Sequence, residues 1–173
     1  MPLGVAVLEV VAMKIRLLAI TAVLAFVAAL AAPMSAADQR PMSGQFTAQA
    51  GPTAPRCGAD ALTLGFEIQG VASHLGSLTG SGSNCTEFTL TTNAVAVWDG
   101  VVGLIAADGS TLTGTYSGAQ GTPIAGRAPF RNTLTITGGT GRFAGAGGVW
   151  ILSGSLDFTT GTIDGRVEGW LSY

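Results

Sequence analysis

Few residues in this chain have side chains able to do chemistry. His74 is its single histidine, and Cys57 and Cys85 are its two cysteines among 173 residues. A histidine can act as a general base, but no paired Ser or Cys nucleophile stands near His74 in the sequence. It reads instead as a side chain hydrogen-bonded to a backbone carbonyl. Two cysteines and one histidine do not make the ligand set that zinc needs, so no metal is expected. In an exported chain an isolated pair of cysteines is expected to form a disulfide, closing a loop of about 29 residues worth roughly 3–4 kcal/mol. No Gly-x-Ser-x-Gly elbow is present. The Gly138-Gly139-Thr140-Gly141-Arg142 run lacks the Lys-Ser/Thr pair and the helix of a phosphate cradle.

These residues must be held by elements whose pattern begins after a leader. Met13-Lys14-Ile15-Arg16 is basic, Leu17 to Ala32 is sixteen residues without a charge, and Ser35-Ala36-Ala37 supplies small residues for cleavage. This is the layout of a secretory signal peptide over residues 1–37. Its apolar run is too short for a stable membrane span, which takes roughly 20 residues. Glu9, upstream of the basic segment, fits translation starting at Met13. A secreted or periplasmic protein is expected. The net charge of −2 and the scatter of its arginines give no basic face, so nucleic acid is not an expected partner.

Residues 38–60, rich in Pro and Gly, read as a flexible N-terminal segment with one short strand at most, at Gln45–Ala48. From Ala61 to Tyr173 the period is two. Leu62, Leu64, Phe66 and Ile68 share one face of the first strand, while Thr63, Gly65, Glu67 and Gln69 share the other. Further strands are expected at His74–Thr79, Thr86–Thr91, Ala94–Trp98, Val101–Ala107, Thr111–Ser117, Asn132–Thr137, Val149–Phe158 and Thr162–Leu171. Turn signals lie between them, Asp99-Gly100 among these. No segment has a helical period and no constant repeat suggests a solenoid. The class is all-β, an antiparallel meander that closes to remove its edges. On one face Trp150, Leu152 and Leu156 flank Gly154, and on another Leu112 and Tyr116 flank Gly114. Rings beside glycines can leave a void, which makes Tyr116 and Trp150 candidate ligand contacts. Trp98 and Trp170 have polar neighbours and are expected outside.

The stretch Ile136–Leu152, "ITGGTGRFAGAGGVWIL", resembles the Gly-Gly-Thr/Ser-Gly-x-Phe-x-Gly segment of the allene oxide cyclase and dirigent barrel superfamily. "GVASHLGSLTG" (Gly70–Gly80), "AADGSTLTGTYSG" (Ala106–Gly118) and "GTIDGRVEGWLSY" (Gly161–Tyr173) are similar to other parts of bacterial members. The resemblance implies a single eight-stranded antiparallel barrel. Gly138, Gly139 and Gly141 would reverse the chain with positive φ, Gly145 would help bend the next strand, and Phe143 would plug the barrel end. Arg142 would be a solvated rim charge or would pair with a carboxylate such as Glu168. Plant allene oxide cyclases carry a Tyr-Glu-Ile-Asn run whose Glu and Asn lie in the cavity. The matching run here is Phe66-Glu67-Ile68-Gln69, which makes Glu67 a candidate catalytic or ligand-anchoring carboxylate and Gln69 a candidate ligand contact. The cavity cysteine of the plant enzymes has no counterpart.

The expected function is a non-enzymatic barrel that binds an apolar small molecule or serves as a scaffold, without a cofactor. The alternatives are a cyclase or isomerase-like enzyme working through Glu67, and an interaction protein with a filled barrel. The resemblance also implies a homo-oligomer, a trimer.

Overall fold

The computed structural model describes residues 39–51, 53–87 and 94–173, and the signal peptide expected over 1–37 lies outside them. Eight strands follow one another: β1 (Arg40–Gly51), β2 (Leu62–Ala72), β3 (Gly76–Thr86), β4 (Ala94–Ala106), β5 (Thr111–Gly121), β6 (Arg127–Gly139), β7 (Gly147–Asp157) and β8 (Thr162–Ser172). Each pairs antiparallel with the next, and β8 returns to β1, so the sheet is a closed barrel. The only helical element among the described residues is a 3₁₀ turn at Gly141–Phe143.

Expectations about the strands are corrected at several points. The segment expected to be flexible over 38–60 contains β1, a 12-residue strand that pairs with both β2 and β8. Its alternation is carried by Met42, Phe46 and Ala48, diluted by Ser43, Gly44 and Gln45, and without it the barrel would have two open edges. Only the part after Gly51 lies outside the strands. Asp99-Gly100 does not separate two strands but is a bulge inside β4. The register against β5 slips between Val97 and Gly100, with Asp99 at φ 48, so one extra residue is absorbed by added twist rather than by a turn. The strand expected to start at His74 starts after a turn at Ser73–Leu75; of the one expected at Thr86–Thr91, Thr86 is the last residue of β3, Glu87 is not in a strand, and residues 88–91 lie outside the described residues.

Period-two alternation sorts side chains into lumen and surface. In β6, Ala128, Asn132, Leu134 and Ile136 are buried, while Arg131, Thr133, Thr135 and Thr137 are exposed. Inward rings repeatedly face glycines across the ladder: Phe46 lies opposite Gly70 and Gly165, Phe66 opposite Gly82, and Phe130 opposite Gly154. The fit is tight. A Cβ at Gly165 would run into the ring of Phe46, and one at Gly100 would stand 2.5 Å from Cγ of Tyr116. Eight strands leave an interior just wide enough to fill with side chains or to hold one small ligand; here one end is filled and the other keeps a cavity.

Candidate ligand-binding lumen

One end of the barrel is packed shut. Met42, Leu75, Leu112, Leu134, Trp150 and Leu171 form one buried cluster, and Phe143 caps it at 0% exposure. The glycine-rich loop delivers that cap. Gly141 is left-handed at φ 60, as is Gly145 at φ 76, the backbone glycine adopts at least cost. Gly139 is correct for a different reason than expected: it lacks positive φ, but a Cβ there would collide with the carbonyl oxygen of Thr111 and stand 3.0 Å from the Phe143 side chain. Arg142 lies over the Phe143 ring, 4.7 Å from its centre, and donates to the His74 carbonyl at 2.7 Å. Its ion pair is with Asp108 at 3.0 Å, not with Glu168, which sits beside Arg166. Asp108 is held below the ordinary aspartate range chiefly by the Ser110 backbone N–H, with Arg142 adding to the effect. The Nε2 of His74 meets the Pro41 carbonyl at 3.0 Å, the backbone partner expected for it.

Among the described residues the other end is open. Phe46, Phe66, Phe130, Leu152, Leu156 and Ile163 wall a cavity of about 80 Å³, and none of its described lining residues carries a charge. Into this apolar space reach Asn84, Tyr116, Gln120 and Asn132. The Tyr116 hydroxyl donates to Oδ1 of Asn84 at 3.1 Å, and Nδ2 of Asn84 donates to the Cys85 carbonyl at 3.2 Å. Burial pushes the Tyr116 phenol well above its usual range, so it stays protonated. Asn132 is 9% exposed, yet its Oδ1 has no hydrogen-bond partner among the described residues. The cavity continues into a vestibule of about 410 Å³ at the mouth, sharing Leu64, Gln120 and Leu156 with it. Leu62 and Phe158 line that vestibule, and Ile124, on the adjoining β5–β6 turn, is 77% exposed. The disulfide staples this end: Cys57, in the β1–β2 connection, bonds to Cys85 near the end of β3, with S–S 2.03 Å.

The structure brings only one of the four expected ligand contacts into the lumen. Tyr116 lines the cavity. Glu67 and Gln69 do not: Leu64, Phe66 and Ile68 take the inward positions of β2, and alternation turns Glu67 and Gln69 out to solvent. The position in the lumen implied for Glu67 by the plant run is therefore corrected. Trp150 is 2% exposed within the closed-end cluster, with its Nε1 donating to the Trp170 carbonyl at 3.1 Å, and is a floor rather than a contact. Asn84 and Asn132 escaped sequence reasoning. Asn84 stood out only as the neighbour of Cys85, and Asn132 as the start of a strand. A usable signal existed for Asn132. It shares the parity of Leu134 and Ile136, and a polar residue at an inward position calls for a partner.

No protein-family model matches the chain, and no curated protein matches it at a significant level. Among solved structures it is similar to the pterocarpan synthase dirigent protein GePTS1, at 15% identity and a TM-score of 0.42, over 83% of this chain and 94% of that one. The barrel speaks for itself on architecture: the closed eight-stranded antiparallel fold implied by the glycine loop is the one that the chain forms.

Proposed function

We propose that this is a non-enzymatic, extracytoplasmic barrel that holds an apolar small molecule in its lumen. The observation that carries this reading is that the uncharged inner cavity shares Leu64, Gln120 and Leu156 with a largely apolar vestibule at the mouth, where Leu62 and Phe158 stand exposed and Glu87 is the one acid among the described lining residues. Small-molecule sites are commonly concave and apolar with a few placed polar groups, and Tyr116, Asn84 and Asn132 fill that role here. Glu67, the one acid that a cyclase-like reaction would use, faces the wrong side of β2 for chemistry in the lumen. The Cys57–Cys85 bond supports an oxidising compartment outside the cytoplasm. Native mass spectrometry of the exported protein, under gentle and then denaturing conditions, tests the reading. A reproducible small mass lost only on denaturation supports it; a bare protein mass throughout counts against it. Glu67→Gln is expected to leave the bound mass unchanged.

Assembly into a homo-oligomer, the trimer of the resemblance, is a second reading that one surface favours. The outward positions of β3 and β5 carry no charge, and Val101 and Ile105 of β4 stand exposed between them. Light scattering on the mature protein distinguishes a trimer from a monomer.

A further inference from the structure

Resting on that binding reading, we propose that the lumen selects a neutral, slim aliphatic molecule whose inner end carries a single hydrogen-bond donor, an alcohol of the primary type, and that the donor is received by Oδ1 of Asn132. Asn132 lies on β6 between Gly118 of β5 and Leu152 of β7. On the β5 side its amide has no side chain over it. A Cβ at Gly118 would fall on Oδ1 itself, so the glycine is what makes room for this oxygen, which is buried there without a partner. An unpaired buried acceptor bears its full desolvation penalty until something donates to it. Of the neighbouring polar groups, Tyr116 is committed to Asn84 and Asn84 to the Cys85 carbonyl, while Gln120 lies toward the vestibule, which it also lines. A ligand is thus asked for a donor at one point and for nothing polar along the Phe66, Phe130 and Leu156 walls.

Charge and size narrow the class further. No described lining residue is charged, so a carboxylate or an ammonium would be buried without a counter-ion, which is strongly unfavourable. The inner cavity of about 80 Å³ is roughly half the 150 Å³ of an apolar cavity known to take benzene. A ring does not fit there, whereas a hydroxymethyl group and a few methylenes do. The remaining carbons lie in the 410 Å³ vestibule against Leu62, Leu64 and Phe158.

The test compares 1-hexanol with its isomer 1-methoxypentane, which has the same atoms but only an acceptor, and with hexanoate at neutral pH. Each is titrated into the ¹⁵N-labelled, disulfide-bonded mature protein and followed by amide shifts around Asn132, Gly118 and Leu152. The expected result is binding of hexanol roughly 10-fold tighter than the ether, with hexanoate weaker than both. Asn132→Leu is expected to abolish the difference between alcohol and ether. Should the variant not fold, the isomer comparison in the natural protein decides alone. Equal binding of the two isomers, or a gap that survives Asn132→Leu, overturns this inference and leaves the apolar-binding reading standing. Hexanol that fails to bind while a small mass co-purifies overturns the inference in the same way. Hexanol that fails to bind, with a bare native mass, overturns both.

Discussion

The two ends of this barrel are built on the same hydrogen-bonded ladder and reach opposite results. At the closed end the inward positions hold Leu75, Leu112, Leu134, Trp150 and Leu171, and the β6–β7 loop folds Phe143 over them until nothing is exposed. At the open end Phe46, Phe66 and Phe130 lean on glycines of the neighbouring strands, and the β5–β6 turn points Ile124 outward rather than across the mouth. Strand number and pairing do not differ between the ends. Side-chain volume and loop direction therefore decide whether an eight-stranded barrel is filled or hollow, and the packed core and the cavity are housed in different halves of one sheet.

The largest expected effect breaks that division at its strongest point. Phe143→Ala removes a fully buried ring that packs edge-on against Tyr173 at 4.9 Å, and should destabilise the fold by about 4 kcal/mol. Phe66→Ala, at the cavity wall, should cost only about 1–2 kcal/mol, since it enlarges a space that already exists. Urea unfolding of the two variants measures the contrast, and equal losses would mean that the two halves do not differ as argued. Next comes the staple. Replacing both Cys57 and Cys85 by Ala opens a loop with a sequence separation of 28, with an expected loss of about 3 kcal/mol. Because the bond ties the β1–β2 connection to β3 at the mouth, bound ligand should be lost at a lower urea concentration than the barrel itself. Simultaneous loss would place the disulfide's effect on the whole fold.

How much of this was legible beforehand follows from how local each feature is. The alternation of Leu62, Leu64, Phe66 and Ile68 fixes one face of β2 from its own residues, and it already set Glu67 opposite to them. The glycine motif and the two cysteines are likewise written in consecutive residues or in simple counting. β1 was legible only at Gln45–Ala48, because Ser43 and Gly44 carry little pattern and the full strand exists through its two partners. Asp99-Gly100 looks like a turn in any single strand and becomes a bulge only when β3 and β5 continue past it on both sides. The bare oxygen of Asn132 depends on Gly118, fourteen positions away and adjacent only through the β5–β6 register. Patterns within a strand are readable, whereas vacancies between strands are not.

A smaller effect sharpens the closed end. Gly141→Ala places a Cβ at φ 60 and 2.5 Å from Oγ of the buried Ser110. The left-handed backbone alone should cost about 1–2 kcal/mol. The loss should appear as earlier thermal unfolding with little change in ligand occupancy, since the mouth lies at the other end. A variant that released ligand without losing stability would show that the loop communicates with the lumen.

The smallest effect compares two turn aspartates, one at each end. Asp108 at the closed end and Asp157 at the open end are both held below the ordinary value of 3.8, Asp108 chiefly by the Ser110 N–H and Asp157 by the Thr159 N–H. A carboxylate with a lowered folded pKa stabilises the fold above the unfolded value, and that contribution is lost as pH falls through the folded one. Asp108→Asn and Asp157→Asn should therefore each lower Tm near neutral pH, and each deficit should close as the pH is taken below 3.8. The two should part in salt. Asp108 also grips Arg142 at 3.0 Å, with both side chains more than two-fifths exposed, so part of its contribution is screened at high ionic strength. Asp157 works chiefly through fixed backbone donors at 2.8 and 3.3 Å, with the charge of Arg127 a lesser contribution and no direct ion pair, so salt should touch it less. Thermal melts of both variants at low and high salt read this directly. If the Asp108→Asn deficit ignores salt, then Arg142 is held over Phe143 by its ring contact and the His74 carbonyl alone, and the ion pair is incidental to how the closed end is capped.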